Sequence, residues 1–250
     1  PKNNVSIRGN GNATILKRMY DSTDENSGDT ARGLITLNGK SGCKIQGLRI
    51  DGNKATYASS YNYGIYLYSS SNNTITDNTC NNSRYDGIYL YSSSNNTVTG
   101  NACNNSTFGI SLDSSSNNNT ITGNTCNNSS SGISLDSSSN NNTITGNTCN
   151  NNYSGIDLYS SSNNTITGNT CNNNSFGIYL YSSSNNTVTG NACNNNNNGI
   201  YLYSSSNNTV TGNTCIRGTG RTSDYSSDQY TIRLSGSSNN CNLISLNNCM

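Results

Sequence analysis

Apolar and polar positions alternate in short bursts that recur along most of the chain. Gly177-Ile178-Tyr179-Leu180-Tyr181 puts an aliphatic residue at every second place, a Ser/Asn run follows, and Thr187-Val188-Thr189-Gly190-Asn191-Ala192-Cys193 alternates again. Period-two alternation bounded by turn formers predicts half-buried strands, and the 3.6-residue spacing of a helix is missing from these copies. The opening glycines fall at 64, 87, 109, 132, 155, 177 and 199. The closing cysteines fall at Cys80, Cys103, Cys126, Cys149, Cys171, Cys193 and Cys215. A fixed period of 22 or 23 residues is the mark of stacked units.

One such unit can neither bury its apolar face nor satisfy its strand edges. Stacked units can, each strand pairing with its copy ~4.8 Å above and below. The expected fold is therefore all-β: a right-handed, single-stranded parallel β-helix of roughly ten coils. Ile178, Leu180, Val188 and Cys193 should point inward, with Tyr179, Tyr181, Thr187 and Thr189 outward. Asn78, Asn101, Asn124, Asn147, Asn169, Asn191 and Asn213 each precede a cysteine of the column by two places. They should form an internal amide ladder, each side chain bonding the next coil.

Residues 1–250 read as one elongated domain, with irregular coils over 1–63, seven regular coils over 64–215 and an atypical closing coil or cap over 216–250. Three excursions interrupt the pattern. Lys17 to Arg32, holding Asp21, Asp24, Glu25 and Asp29, should be an exposed loop; Gly52 to Tyr63 and Ile216 to Asp228 are the others. Ile50 takes the cysteine position in the degenerate coil from Leu34 to Asp51.

The recurring Ser-Ser-Asn-Asn-Thr-Ile-Thr-Gly-Asn-Thr-Cys element resembles right-handed parallel β-helix repeats of the pectate-lyase-like and NosD-like group, as found in surface proteins of methanogenic archaea. The resemblance spans nearly the whole chain and implies the fold. It does not fix an activity, since that architecture carries lyases, hydrolases, binding proteins and passive stalks. The Asn-Thr-Asp, Asp-Asp, Gly-His-Gly and Arg-Ile-Lys elements of pectin-type hydrolases are missing. A β-elimination lyase would need a basic residue beside its carboxylates, and Arg84 lies a coil or more from Asp113. Copper handling, implied by the NosD likeness, is poorly served by a chain with two Met and no His, because only the inward Cys column offers soft ligands.

Hydrophobic content of 30% would suit disorder were it not for the strict register, and a solenoid needs only a thin core. A net charge of +1 leaves no basic footprint for nucleic acid. No apolar run is long enough to insert in a membrane, and a chain opening Pro1-Lys2-Asn3 reads as a mature or excised piece of a secreted or cell-surface protein. Ten cysteines would ordinarily mean disulfides outside the cell. Seven stacked in parallel register direct their side chains alike, so buried free thiols are expected there, with Cys241–Cys249 the one expected bridge and Cys43 set apart near the first coils.

Chemistry should gather on the sheet that carries the tyrosines. Tyr66, Tyr68, Tyr89, Tyr91, Tyr159, Tyr179, Tyr181, Tyr201 and Tyr203 form outward stripes broken by Ser111, Ser134, Asp113, Asp136 and Asp157. Aromatic platforms beside an acidic depression suit a sugar chain, ring faces taking its apolar faces and carboxylates its hydroxyls. Asp113 and Asp136 should stand about 5 Å apart, the spacing of a retaining glycosidase. Three readings stay open for the aspartates: polysaccharide hydrolysis, a Ca²⁺ site with no other cofactor implied, or duplicated surface positions without chemistry. Each regular copy also carries a Thr-x-Thr pair, such as Thr143 and Thr145, forming an outward array like the ice-binding face of some β-solenoids. Sequons such as Asn72-Asn73-Thr74, Asn163-Asn164-Thr165 and Asn185-Asn186-Thr187 suit a glycosylated surface protein. The expected role is an extracellular structural or adhesion module whose partners are glycans or envelope components. A polysaccharide-degrading enzyme and an ice or surface binder are the alternatives, and nothing in the pattern fixes an oligomeric state.

Overall fold

The computed structural model describes residues 2–22, 32–58, 61–217 and 230–250. Its strands pair in parallel throughout, each with its equivalent one coil away. One sheet runs from Ser6–Lys17 through Lys44–Asp51 and the three-residue Thr-x-Thr strands to Leu243–Ser245, ten strands in succession, with Thr79–Asn81 paired beside them. This is called the Thr sheet below. The second, the Tyr sheet, has nine strands: Gly33–Asn38, Tyr63–Tyr68, Asp86–Tyr91, Phe108–Asp113, Ser131–Leu135, Ser154–Tyr159, Phe176–Tyr181, Asn198–Tyr203 and Tyr230–Ser235. A third side is a column of single bridges, Thr79 to Ala102 to Thr125 to Thr148 and onward to Thr214, which ends in the pair Thr214–Cys215 and Asn248–Cys249. No helix among the described residues is long and apolar enough to cross a membrane.

Each coil feeds the same four positions into the core. Ile133, Leu135, Ile144 and Cys149 are all fully buried, and so are their equivalents above and below. The glycine that opens each copy is required by the tightness of this stack. A Cβ on Gly132 would lie 2.6 Å from the Gly155 carbonyl oxygen and 2.9 Å from the Cys149 Cβ. Corners are turned by residues in the left-handed region, such as Ser137 (φ 51°), Asn141 (φ 57°) and Asn151 (φ 57°). Short polar side chains tolerate that conformation better than apolar ones.

The amide ladder is present and continuous. Asn124 is 1% exposed; its backbone N–H and its Nδ2 both donate to Asn147 Oδ1, at 2.9 and 3.0 Å, and Nδ2 also donates to the Val98 carbonyl. Its own Oδ1 accepts from the Asn101 N–H and Nδ2 at 2.9 and 3.0 Å. Two further ladders run through the Ser/Asn spacer. Asn73, Asn96, Asn119, Asn142, Asn164, Asn186 and Asn208 hand backbone N–H groups to the next coil's amide oxygen. Ser93, Ser116, Ser139, Ser161, Ser183 and Ser205 accept at a neighbouring corner. The corners are therefore dry and paired without apolar side chains, which is how a thin core suffices.

Several expectations are corrected at the ends. The stretch from Lys17 to Arg32 is not simply an exposed loop: Arg18 is fully buried, its Nη2 donating to the Arg32 and Tyr63 carbonyls at 2.8 Å each. Ser22 and Arg32 are also buried, Asp21 accepts from Asn62 Nδ2 at 2.8 Å, and Asp24, Glu25 and Asp29 lie outside the described residues. Of the excursion from Ile216 to Asp228, only Ile216 and Arg217 are described. Cys241 and Cys249 are free and exposed rather than bridged, while Cys43 and the seven cysteines of the column are free and buried. Cys249 instead pairs in register with Cys215, extending the column by one coil. The last coil covers Ile200, Leu202, Val210 and Cys215, each at most 1% exposed, while its own Leu234 and Ile244 are 40% and 38% exposed.

Candidate functional site

The outer face of the Tyr sheet carries three columns of side chains. Closest to the bridging side stand the residues that precede each glycine, among them Tyr63, Asp86, Phe108, Ser131, Ser154 and Phe176. Their rings reach the next column: Tyr63 lies 5.1 Å from Tyr66, and Phe176 lies 5.1 Å from Tyr179. The middle column is Tyr66, Tyr89, Ser111, Ser134, Asp157, Tyr179 and Tyr201. The outer column is Tyr68, Tyr91, Asp113, then Asp136 just past its strand, Tyr159, Tyr181 and Tyr203.

Two aromatic blocks result. In the first, Tyr66 stacks on Tyr89 at 5.4 Å and Tyr68 on Tyr91 at 5.6 Å. In the second, Tyr179 stacks on Tyr201 at 5.0 Å and Tyr181 on Tyr203 at 5.1 Å, nearly coplanar. Between Tyr91 and Tyr159 lie two coils without a ring in the outer and middle columns, so the gap spans three coil steps, ~14 Å. The rings are not equally open. Tyr66 is fully buried and Tyr201 is 8% exposed under Arg233, whose guanidinium carbon sits 4.9 Å over its ring. Neither is a free platform. Tyr181 is exposed, and Tyr68, Tyr89, Tyr91, Tyr159, Tyr179 and Tyr203 are partly so.

Each of the three aspartates is held by its own partners. Asp113 Oδ2 accepts from the Tyr89 hydroxyl at 3.0 Å, and its Oδ1 accepts from the Ser114 N–H at 2.5 Å. Asp136 leaves the strand and takes the Ser137 N–H at 2.6 Å, in a turn exposed to solvent. Asp157 is not on the open surface: it is 4% exposed, with Oδ2 accepting from Ser131 Oγ at 2.8 Å and Oδ1 lacking a hydrogen-bond partner in the protein. Burial pushes Asp157 up to about 6, against the opposing pull of the Ser131 and Ser134 hydroxyls. Among the described residues no three His, Cys, Asp or Glu side chains come together as a metal-holding group.

Asp86 escaped the sequence reading. It stands in the column before the glycine, where other coils place Tyr63, Phe108, Ser131 or Ser154. It is 1% exposed, and neither carboxylate oxygen has a hydrogen-bond partner. Burial, reinforced by the nearby charge of Asp113, holds its carboxyl well above the ordinary range. The only signal was its place beside Gly87, next to the repeat rather than within its alternating part.

Elsewhere the surface is plainer. The Thr sheet presents Thr120, Thr143, Thr165 and Thr187 exposed and Thr122, Thr145, Thr167 and Thr189 half-buried, in strict register. The sequon asparagines Asn72, Asn163 and Asn185 are exposed at a left-handed corner. A cleft of about 220 Å³ opens at Asp51, Asn53, Lys54, Ala55 and Asn82.

Among solved structures the chain resembles the A-module of the mannuronan C-5 epimerase AlgE4 of Azotobacter vinelandii, at 16% identity and a TM-score of 0.76, covering 100% of this chain and 82% of that one. It also resembles the periplasmic alginate epimerase AlgG, at 20% identity and a TM-score of 0.66, covering 84% of this chain and 61% of that one. A third likeness is to DFA-IIIase from Arthrobacter chlorophenolicus A6, at 15% identity and a TM-score of 0.65, covering 90% and 59%. At these identities the likeness concerns the fold. No curated protein matches the sequence. A family model described as periplasmic copper-binding protein (NosD) matches residues 2–175 and again 139–249. The donor set here does not fit copper: the chain has no His, Met19 and Met250 lie in the first and last coils, and the stacked thiols face a dry core. The two matches together span nearly the whole stack, and on that ground the chain belongs to the NosD family of right-handed parallel β-helix proteins.

Proposed function

We propose that this chain is a rigid module acting outside the cytoplasm, in the periplasm or at the cell surface, that holds a glycan along the outer face of the Tyr sheet. The observation that carries this reading is the pair of aromatic blocks flanking a depression lined by Ser111, Ser134, Asp113 and Asp136. Rings at each end offer apolar faces for pyranose faces, and the hydroxyls and carboxylates between them offer partners for sugar hydroxyls. The named activities of the epimerases AlgE4 and AlgG, on mannuronan and alginate, support a polysaccharide as ligand class, as does a periplasmic setting for AlgG and for the NosD family. The coil stack itself supplies stiffness, since the ladders tie every coil to the next.

Retention on a glycan array, followed by titration with any hit, tests this. Tyr181→Ala removes an exposed ring from the second block and should weaken binding roughly tenfold. Binding that survives loss of both Tyr181 and Tyr203 would sink the reading, as would silence across the array. Hydrolysis has less support, because Asp113, Asp136 and Asp157 are each turned to a different partner. The Thr array favours a second reading as an ice or surface binder, since its columns run in uninterrupted register from Thr74 to Thr211; bulky replacements there would abolish such binding while leaving glycan retention untouched.

A further inference from the structure

The Tyr-sheet face has an electrostatic character that the aromatic blocks alone do not reveal. From Tyr85 to Ile216 the chain contains no Lys, Arg or His, and its only charged residues are Asp86, Asp113, Asp136 and Asp157. All four belong to consecutive coils of one sheet, in register along the stack: Tyr91 pairs with Asp113, Ser134 with Asp157, and Asp86 with Phe108. Asp113 and Asp136 line the depression, Asp86 and Asp157 lie buried in the coils at its two ends, and this stretch of chain places no cation of its own among them.

Two of the four are buried without a full set of partners. Asp86 is 1% exposed with both oxygens unbonded, and Asp157 is 4% exposed with Oδ1 unbonded. Asp86 lies close enough to Asp113 for their charges to repel, and both act on the Tyr89 hydroxyl between them. That hydroxyl already donates to Asp113, so it is not free to serve Asp86. The rings of Tyr63, Tyr85 and Tyr89 pack together in the same part of the sheet, Tyr63 lying 4.9 Å from Tyr89 and 6.1 Å from Tyr85. A buried carboxyl without a donor is costly, and at Asp86 the retained proton answers that cost; the carboxylates a polymer can reach are Asp113 and Asp136, and the donor that suits them carries positive charge. Ring faces beside them also attract ammonium groups.

From this arrangement we infer that the glycan held by this face bears free amino groups, as in polymers of 2-amino-2-deoxy sugars, and is not a polyuronate. The inference rests on the glycan reading given above and narrows it. A polyuronate would set its own carboxylates against Asp113 and Asp136 with nothing to neutralise either, whereas a chain of ammonium-bearing sugars meets them with donors of opposite charge. This separates the present chain from the epimerases it resembles in fold, whose named substrates, mannuronan and alginate, are polyuronates.

Three size-matched oligosaccharides test it with the intact protein: oligoglucosamine, its N-acetylated form, and oligomannuronate, each titrated at about pH 6 in low salt and again in about 0.5 M sodium chloride. The amine form should bind roughly tenfold more tightly than the acetylated one, and the uronate should not bind. Salt should erase that preference, and so should Asp136→Asn, a change at an exposed position that leaves the stack intact. Equal binding of amine and acetylated forms would overturn the charge argument while leaving the glycan reading in place. Tighter binding of the uronate would also overturn it. If none of the three binds and the wider array is silent, both readings fail together.

Discussion

On the Thr sheet, every regular coil presents the same pair of threonines outward; on the Tyr sheet, the equivalent outward places hold Tyr, Phe, Ser, Asn or Asp depending on the coil. Inside, the two sheets are alike, with Ile, Leu, Val and Cys fully buried from coil to coil. The contrast teaches where the stack is specified. Core columns and amide ladders hold the coils in register whatever the outer face carries, so the Tyr sheet can vary its surface without risk to the fold. It also tolerates features that a self-specifying surface would exclude, namely two buried, under-bonded carboxyls.

The strongest way to break the comparison is to strike what both faces share. Asn124→Ala removes the side-chain amide of a residue that is 1% exposed, and with it four hydrogen bonds across neighbouring coils. It strands the Asn101 N–H and the Val98 carbonyl in a dry corner. Chemical denaturation should show a loss of about 2–4 kcal/mol, or two separate transitions if the stack divides at the damaged coil. A loss below about 0.5 kcal/mol would mean that water replaces the ladder and that the core alone sets the register.

The next effect separates the faces and depends on pH. Asp157 has a folded value of about 6 against an ordinary 3.8, so the folded state binds its proton more tightly than the unfolded chain does. Stability from this group is full below about pH 4 and is lost as the pH rises through 6. Asp157→Asn should therefore stabilise the protein by about 2 kcal/mol at pH 8 and by almost nothing at pH 3.5, read as melting temperature across that range. No position on the Thr sheet offers an equivalent, since its outward residues in the regular coils are uncharged apart from Asp77 at their edge. A pH-independent effect would show that Asp157 is solvated and that the face is ordinary surface.

The same contrast decides what could be read in advance. Ile133, Leu135, Ile144 and Cys149 were legible because alternation and a fixed period act on them alike, and Asn124 was legible because it stands alone between Gly and Thr. Asn73, Asn96 and Ser93 make ladders of the same kind but sit inside Ser/Asn runs, where one essential residue looks like its neighbours. Outward alternation puts Tyr66 on the outer face of the sheet but not its burial; Tyr63 and Tyr89 pack on it at 5.1 and 5.4 Å, which a single strand cannot show. The separate partners of Asp113 and Asp136 were hidden for a similar reason. The strand before Asp136 ends at Leu135, and each carboxylate takes the nearest following N–H. Arg18 belongs to a stretch without period, and its burial follows from two carbonyls far apart in the chain.

The smallest effect completes the comparison from the other side. Thr143 lies in the three-residue strand Thr143–Thr145, paired on both sides by Thr120 and Thr165, and is exposed. Its backbone makes the ladder bond to Asn119, which a substitution leaves in place. Thr143→Ala removes only a hydroxyl and a methyl from an outer column where β propensity is the main force, and should cost less than about 0.5 kcal/mol. Introducing Ala at Thr120, Thr143 and Thr165 together should add these small costs without cooperativity, measured by the same denaturation series. A threefold change that costs far more than the sum would show that the threonines pack as one unit, and the Thr face would then join the ladders as part of what holds the coils together.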